Sequence, residues 1–225
     1  MKKPPLWATL FTILGITILC TLGTWQIQRL NWKTEILSDL NAAYKNPRTE
    51  LTHEALNTQT FAYGHASGTF QWDKAFKAGH KVVDGAAGAN LILPLKTKNG
   101  DILINLGFMP QMHELEKHPL KRFNGKSIAI TGLARTPDWN NFTPQNDPDK
   151  NLWYRLDIPQ ITTHFKLENP APFILYAHES EPKISETLPD NTNWQPNNNH
   201  LQYALFWFAM ALTLQGIFWL RFIRN

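Results

Sequence analysis

Leu201-Gln202-Tyr203-Ala204-Leu205-Phe206-Trp207-Phe208-Ala209-Met210-Ala211-Leu212-Thr213-Leu214-Gln215-Gly216-Ile217-Phe218-Trp219-Leu220 is a run of twenty residues without a charge. As a helix rising 1.5 Å per residue it is about 30 Å long, the thickness of a bilayer's hydrocarbon core. Pro4 to Gln28 also lacks charge, and its apolar part begins at Leu6. Both runs read as membrane-spanning helices, over residues 6–27 and 200–221. The first is long for the apolar region of a signal peptide, and Leu19-Cys20-Thr21 offers no small-residue cleavage pattern, so it reads as an anchor.

Charge sets the expected orientation. The chain has 22 Lys and Arg against 18 Asp and Glu. Lys2 and Lys3 precede the first run, Arg221 and Arg224 follow the second, and every acidic residue lies between them. The middle is therefore neutral and the net +4 belongs to Lys2, Lys3, Arg221 and Arg224, in or next to the tips 1–5 and 222–225. By the positive-inside tendency both tips are expected in the cytoplasm and 28–199 outside it. Arg29 and Lys33 oppose this, but a long loop crosses largely regardless of its charge. The sequence pI near 9.1 thus reflects topology and gives no reason to expect nucleic acid. The lone cysteine, Cys20, falls inside the first span, which leaves the exported part without a disulfide framework or a thiolate metal site.

Between the spans the chain is long enough for one domain with its own core. Ile27, Leu30, Ile36, Leu37 and Leu40 continue a helical pattern to Tyr44. β-like runs follow at 61–70, 91–95, 102–108, 127–134, 153–158 and 173–178. Asn99-Gly100 separates two of them as a tight hairpin turn, since both residues tolerate positive φ. Gly85-Ala86-Ala87-Gly88 reads as a loop. Pro- and Asn-rich connections occupy 136–150 and 181–199, the latter feeding the second span. The expected class is α+β: two transmembrane helices flanking an exported, mainly β domain, a small sheet or partly closed barrel.

Motifs of the common enzyme classes are missing, among them the nucleophile elbow, the dinucleotide and phosphate loops and His-Glu-x-x-His. His113, Glu114, Glu116 and His118 are dense enough to suggest a divalent metal, although Lys117, Lys121 and Arg122 beside them suggest solvated surface. Polar residues at the mouth of a span more often carry function. On a helix His200, Tyr203, Ala204, Trp207, Ala211 and Leu214 share one stripe, polar above and partly small below, which could admit a flat ring or another helix. The alternative is that His200 caps the helix while Tyr203 and Trp207 join an interfacial aromatic belt. On the first helix Trp25, Arg29 and Trp32 lie at i, i+4 and i+7, with Gln26 and Lys33 on the adjacent face. Such a surface could hold carboxylates at the interface and a ring beneath them, or anchor lipid headgroups.

Several of these residues form a wider pattern. Leu22-Gly23-Thr24-Trp25-Gln26 with Arg29 and Lys33, Gly68-Thr69-Phe70, Leu93-Pro94-Leu95, Asn99-Gly100, Asn105-x-Gly107 with Pro110, Trp153, Asp157, and Asn199-His200-Leu201-Gln202-Tyr203-Ala204 with Trp207 resemble the Surfeit-locus-one family. The resemblance covers nearly the whole chain. It implies a membrane assembly factor for haem-copper cytochrome c oxidase that is not an enzyme. It further implies binding of haem A for insertion into oxidase subunit one, with haem A synthase as a further partner. His200 would then be the ligand to haem iron, Arg29 and Lys33 would pair with propionates, and Trp25, Tyr203 and Trp207 would flank the macrocycle. With no arginine-rich transit peptide in view, the expected location is a bacterial inner membrane. The chain departs at Asn105-Leu106-Gly107-Phe108, where the family commonly reads Asn-Arg-Gly-Trp. Two rival readings are a cofactor-free scaffold for oxidase subunits and a membrane-anchored metal enzyme using His113, Glu114 and His118.

Overall fold

The computed structural model describes residues 4–48, 50–184 and 195–224. Lys2, Lys3 and the part of the 181–199 connection around Pro189 lie outside them. Contacts divide the chain into two compact units, 1–38 with 195–225, and 39–194.

The first unit is a helix pair. Helix α1 runs without a break over Leu6–Lys45, and the last helix covers His200–Phe222. Both are long and apolar enough to cross a membrane. Only 17% and 11% of their most apolar windows is buried, so these are not core helices of a globular domain. Leu6, Trp7, Phe11, Leu205 and Leu212 face outward, an arrangement favourable in hydrocarbon and costly in water. The expected helical pattern to Tyr44 is thus continuous with the first span. The compact β unit begins at Asp39, and the turns of α1 just before it associate with 195–199.

The second unit is built on six strands: β1 (Phe61–Phe70), β2 (Phe76–Val83), β3 (Ala86–Thr97), β4 (Gly100–Pro110), β5 (Ser127–Arg135) and β6 (Ile174–Glu181). Their order is β1-β5-β6-β4-β3-β2, and β1 also pairs with β3. Five strands therefore close into a barrel, with β2 added outside on β3. Closure rests on Thr69↔Lys96 and Phe70↔Leu95. It needs Gly68, because a Cβ there would lie 2.3 Å from the Lys96 carbonyl oxygen.

Alternation along the strands explains their nearly continuous apolar runs. Leu91, Leu93, Leu95, Ile102, Ile104, Leu106, Phe173 and Leu175 join Phe70, Ile128 and Ile130 in a core to which all five barrel strands contribute, hence the lumen. The intervening Ile92, Leu103 and Ile174 face a second cluster with Phe76, Trp153, Ile158 and Ile161. Both faces of β3, β4 and β6 are thus buried, which erases the polar alternation of a half-exposed sheet.

Two expectations need correction. Residues 153–158 do not form a strand: after bridges at Leu152 and Trp153 the chain enters helix α2 (Ile158–Phe165). Asp157 caps that helix by accepting from the Gln160 amide, and Pro159 suits its first turn. Gly85 to Gly88 is not a loop, because Ala86 already opens β3, and Asp84-Gly85 makes the β2–β3 turn with φ of +49° and +80°. The hairpin expected at Asn99-Gly100 is present, with Lys98 and Asn99 as its turn and Gly100 paired to Thr97. We number the final helix α3.

Tyr44 of α1, Tyr63 of β1 and His178 of β6 stack together, with the His178 ring centroid 6.1 Å from Tyr44 and 5.5 Å from Tyr63. Burial pushes the imidazole pKa below its ordinary 6.5, and neighbouring Glu179 offsets part of that. The folded state therefore binds this proton less readily than the unfolded chain. Its stabilising share is present above the unfolded value and is lost as pH falls through that value toward the lower folded one. The denaturation midpoint of the detergent-solubilised chain should fall between about pH 7.5 and 5.5. His178→Phe, which keeps the ring stack, should flatten that fall; an equal fall in both proteins would place the titrating group elsewhere.

Candidate functional site at the head of the helix pair

The seam between α1 and α3 starts from small residues. Ala204 and Ala211 are 1% and 6% exposed, and a Cβ on Gly23 would lie 2.7 Å from the Phe208 ring. Gly15 likewise gives way to Leu214. The lower part of the His200 stripe is therefore filled by α1, which answers there the choice between ring and helix.

Above Gly23 the seam turns polar. His200 Nδ1 lies 2.7 Å from Gln26 Oε1. Asn198 Nδ2 donates to Thr34 Oγ1 at 3.2 Å, and Lys33 Nζ donates to the Asn197 carbonyl. Asn197 and Asn198 ahead of α3, and His200 at its first position, are thus tied to one stretch of α1, and the two terminal motifs do meet. An amide oxygen only accepts, so in this pairing Nδ1 is the donor and the tautomer it selects has its lone pair on Nε2. The Nε2 atom has no hydrogen-bond partner among the described residues. Side-chain capping by His200 is not what is seen: its ring is committed to Gln26, while Asn199 occupies the cap position without a side-chain bond.

The other expected residues differ in placement. The Arg29 guanidinium lies 4.4 Å from the Trp32 ring centroid and is solvent-facing, so of the two indoles Trp32 is the one that carries it. Lys33 keeps its charge while bonded to a neutral carbonyl. Trp25 and Tyr203 are half-exposed, and Trp207 is partly buried with its ring 5.5 Å from Phe206. Sequence reasoning put Gln26 on an adjacent face without a role. The available signal was a primary amide inside a charge-free membrane run, where polar groups seek partners.

The metal reading fails. Glu114 pairs with Lys117 at 2.8 Å, Glu116 pairs with Lys121, and His118 is buried with its ring stacked 5.4 Å from Trp72. Among the described residues no group of three or more His, Cys, Asp or Glu is arranged to hold a metal.

A sequence profile described as the SURF1 family matches residues 13–212. The chain belongs to the SURF1 family. A SURF1-like protein of Monosiga brevicollis is 30% identical over 213 residues, covering 86% of this chain and 79% of that one. Surfeit locus protein 1 of Gallus gallus is 26% identical, covering 95% and 74%, and that of Xenopus tropicalis 24%, covering 91% and 72%.

Several of the residues that carried the SURF1 resemblance prove to be architectural. Gly68 permits barrel closure, and Asn105 Oδ1 accepts from the Gly107 amide at 2.8 Å where β3 and β4 slip by one residue. Trp153 is buried with Nε1 donating to Asn151, and Asp157 caps α2. Leu106, at the departure from the family's arginine, is 1% exposed within the lumen. A charge in that dry core would need a partner that leucine does not.

The polar ladder gives a direct test. Ring-labelled histidine NMR of the full chain in detergent should show His200 as the Nδ1–H tautomer. Gln26→Leu should move it toward Nε2–H, the form favoured in free imidazole side chains, while Asn198→Ala should not. An unchanged tautomer in Gln26→Leu would mean that the bond does not set it.

Proposed function

We propose that this SURF1-family protein is an oxidase assembly factor that holds haem at the head of its helix pair, most plainly haem A destined for subunit one of cytochrome c oxidase. The single observation that carries the reading is the His200–Gln26 bond, which commits Nδ1 and leaves Nε2 as the ring nitrogen open to a ligand. Haem supplies an iron that takes such a nitrogen as axial ligand, a flat apolar ring and two carboxylates. The donor set fits those needs: an imidazole with a free nitrogen, the Arg29 and Lys33 cations further along α1, and exposed indole and phenol rings at Trp25, Trp32 and Tyr203. Gln26 orients the ligand, Arg29 offers a planar fork for a carboxylate, and Lys33 offers a point charge. No chemical step is asked of these residues. One histidine ligand holds reversibly, which suits a carrier that must release its load; haem A synthase is the proposed source.

The proposed location is a bacterial inner membrane with both termini in the cytoplasm and 28–199 exported. A reporter joined at the carboxyl end should be active in the cytoplasm, and one inserted near Asn146, in an irregular surface segment, should be active outside it. The reverse pattern would sink the two-span orientation.

For the cofactor, haem titration of the detergent-solubilised chain is the measurement. His200→Ala should abolish the Soret shift of bound haem while leaving membrane insertion intact. Arg29→Ala should weaken binding roughly ten- to a hundredfold, the loss of one charge-assisted contact. Arg29→Lys should be intermediate. In the double variant Arg29→Ala with His200→Ala the cost should be less than the sum of the singles, since both residues hold one ligand. Haem bound equally by His200→Ala and the parent would remove the site and leave the cofactor-free scaffold as the better description.

A further inference from the structure

We infer that the outer edge of β2, from His80 to Val83, is a strand-addition site for an extended, acidic segment of another protein. The five barrel strands pair around a ring, and the side of β1 that β3 does not meet takes bonds from the Arg48 and Leu51 amides, whereas β2 pairs with no strand but β3. The same edge already accepts an extended segment of this chain. Ala78 bridges Trp153 in parallel fashion, and the Gly79 amide donates to the Trp153 carbonyl at 2.7 Å. The covering segment then leaves, because Asn146 Oδ1 takes the next two amides, Tyr154 and Arg155, at 2.8 Å each. Beyond Gly79 the outer side of β2 makes no backbone hydrogen bond among the described residues.

The free stretch also projects. A bulge between Ala78 and Lys81 re-aims the strand, and β4 stops pairing at Gly88↔Pro110. What continues past it is a two-stranded finger closed by Asp84-Gly85, a form that is marginal without a further strand or cover. Val82 is 68% exposed and Val83 39%. At the root of the finger opens a cavity of about 210 Å³ lined in part by Lys77, His80, Gln111, Leu152, Trp153 and Tyr154. It lies where an added strand would begin, and it has room for one incoming side chain.

Three occupants compete for such an edge, and charge and backbone chemistry separate them. Lipid is a poor one, since an unpaired strand edge is not tolerated in hydrocarbon and Asp84 stands at the tip. A second copy is also poor, because edge-to-edge pairing would set Lys77, His80 and Lys81 against the same cations. An acidic strand from another chain meets both conditions. Lys77 Nζ is held by two neutral carbonyls, Gln111 at 3.2 Å and His113 at 2.7 Å, and so keeps its charge uncompensated. Side chains at alternate positions of the added strand would meet the cations on one side, while its backbone completes the ladder.

The test uses the full chain in detergent and a fluorescent ten-residue peptide alternating glutamate with valine. A saturable rise in anisotropy is expected, absent for the peptide with lysine in place of glutamate. Lys77→Glu with Lys81→Glu should weaken the first peptide at least tenfold and bind the second. Bound peptide should slow amide hydrogen exchange at 80–83. Equal binding of both peptides, no saturable binding, or exchange protection away from β2 would overturn the proposal. So would self-association of the chain that depends on Val82, or flotation with anionic vesicles lost in Val82→Asp, since these assign the edge to a second copy or to lipid.

Discussion

The β unit depends on one short seam, the contact of β1 with β3 at Thr69 and Phe70. Two residue pairs turn an open, twisted sheet into a closed barrel, and they form only because Gly68 lets the Lys96 carbonyl approach. Closure creates the lumen that holds Phe70, Leu93, Ile104 and Phe173. It also decides what is left over. The ring takes in five strands, so the sixth, β2, is left outside it and pairs with no strand but β3.

The helix pair follows a different logic. In hydrocarbon there is little hydrophobic force between helices, so close approach and interhelical hydrogen bonds must hold them. Below, Gly15 and Gly23 admit Leu214 and Phe208. Above, the bonds from Gln26, Lys33 and Thr34 to His200, Asn197 and Asn198 replace packing. The change from small to polar falls near the end of the charge-free run, where water becomes available. The histidine placed there is ordered by the protein through Nδ1, and its Nε2 has no hydrogen-bond partner among the described residues.

Much of this was legible in the residues. Charge-free length gave both helices, and the apolar runs gave four barrel strands to within a few residues, with β1 matched at both ends. The stripe through Ala204 and Ala211 did mark the seam. Other features were hidden for physical reasons. Phe76 to Val83 mixes Lys, Gly and His with its apolar residues because half of it is exposed, so it shows no clear period. Trp153 to Ile158 is apolar for the second core, which requires burial but no particular backbone. Asn105 and Trp153 belong to the family pattern, and they hold a slipped register and a loop. The Gln26–His200 bond joins residues 174 positions apart, a separation that no local pattern can report.

That separation has a consequence in time. During synthesis Gln26 emerges long before His200, and at roughly 5–20 residues per second the interval is on the order of ten to thirty seconds. Throughout it the Gln26 amide lacks its imidazole partner. The Gln26–His200 pair can form only after the intervening domain has been synthesised. A truncated chain would present the cations of α1 but no imidazole. Whatever depends on the paired imidazole therefore waits until the β unit has been made.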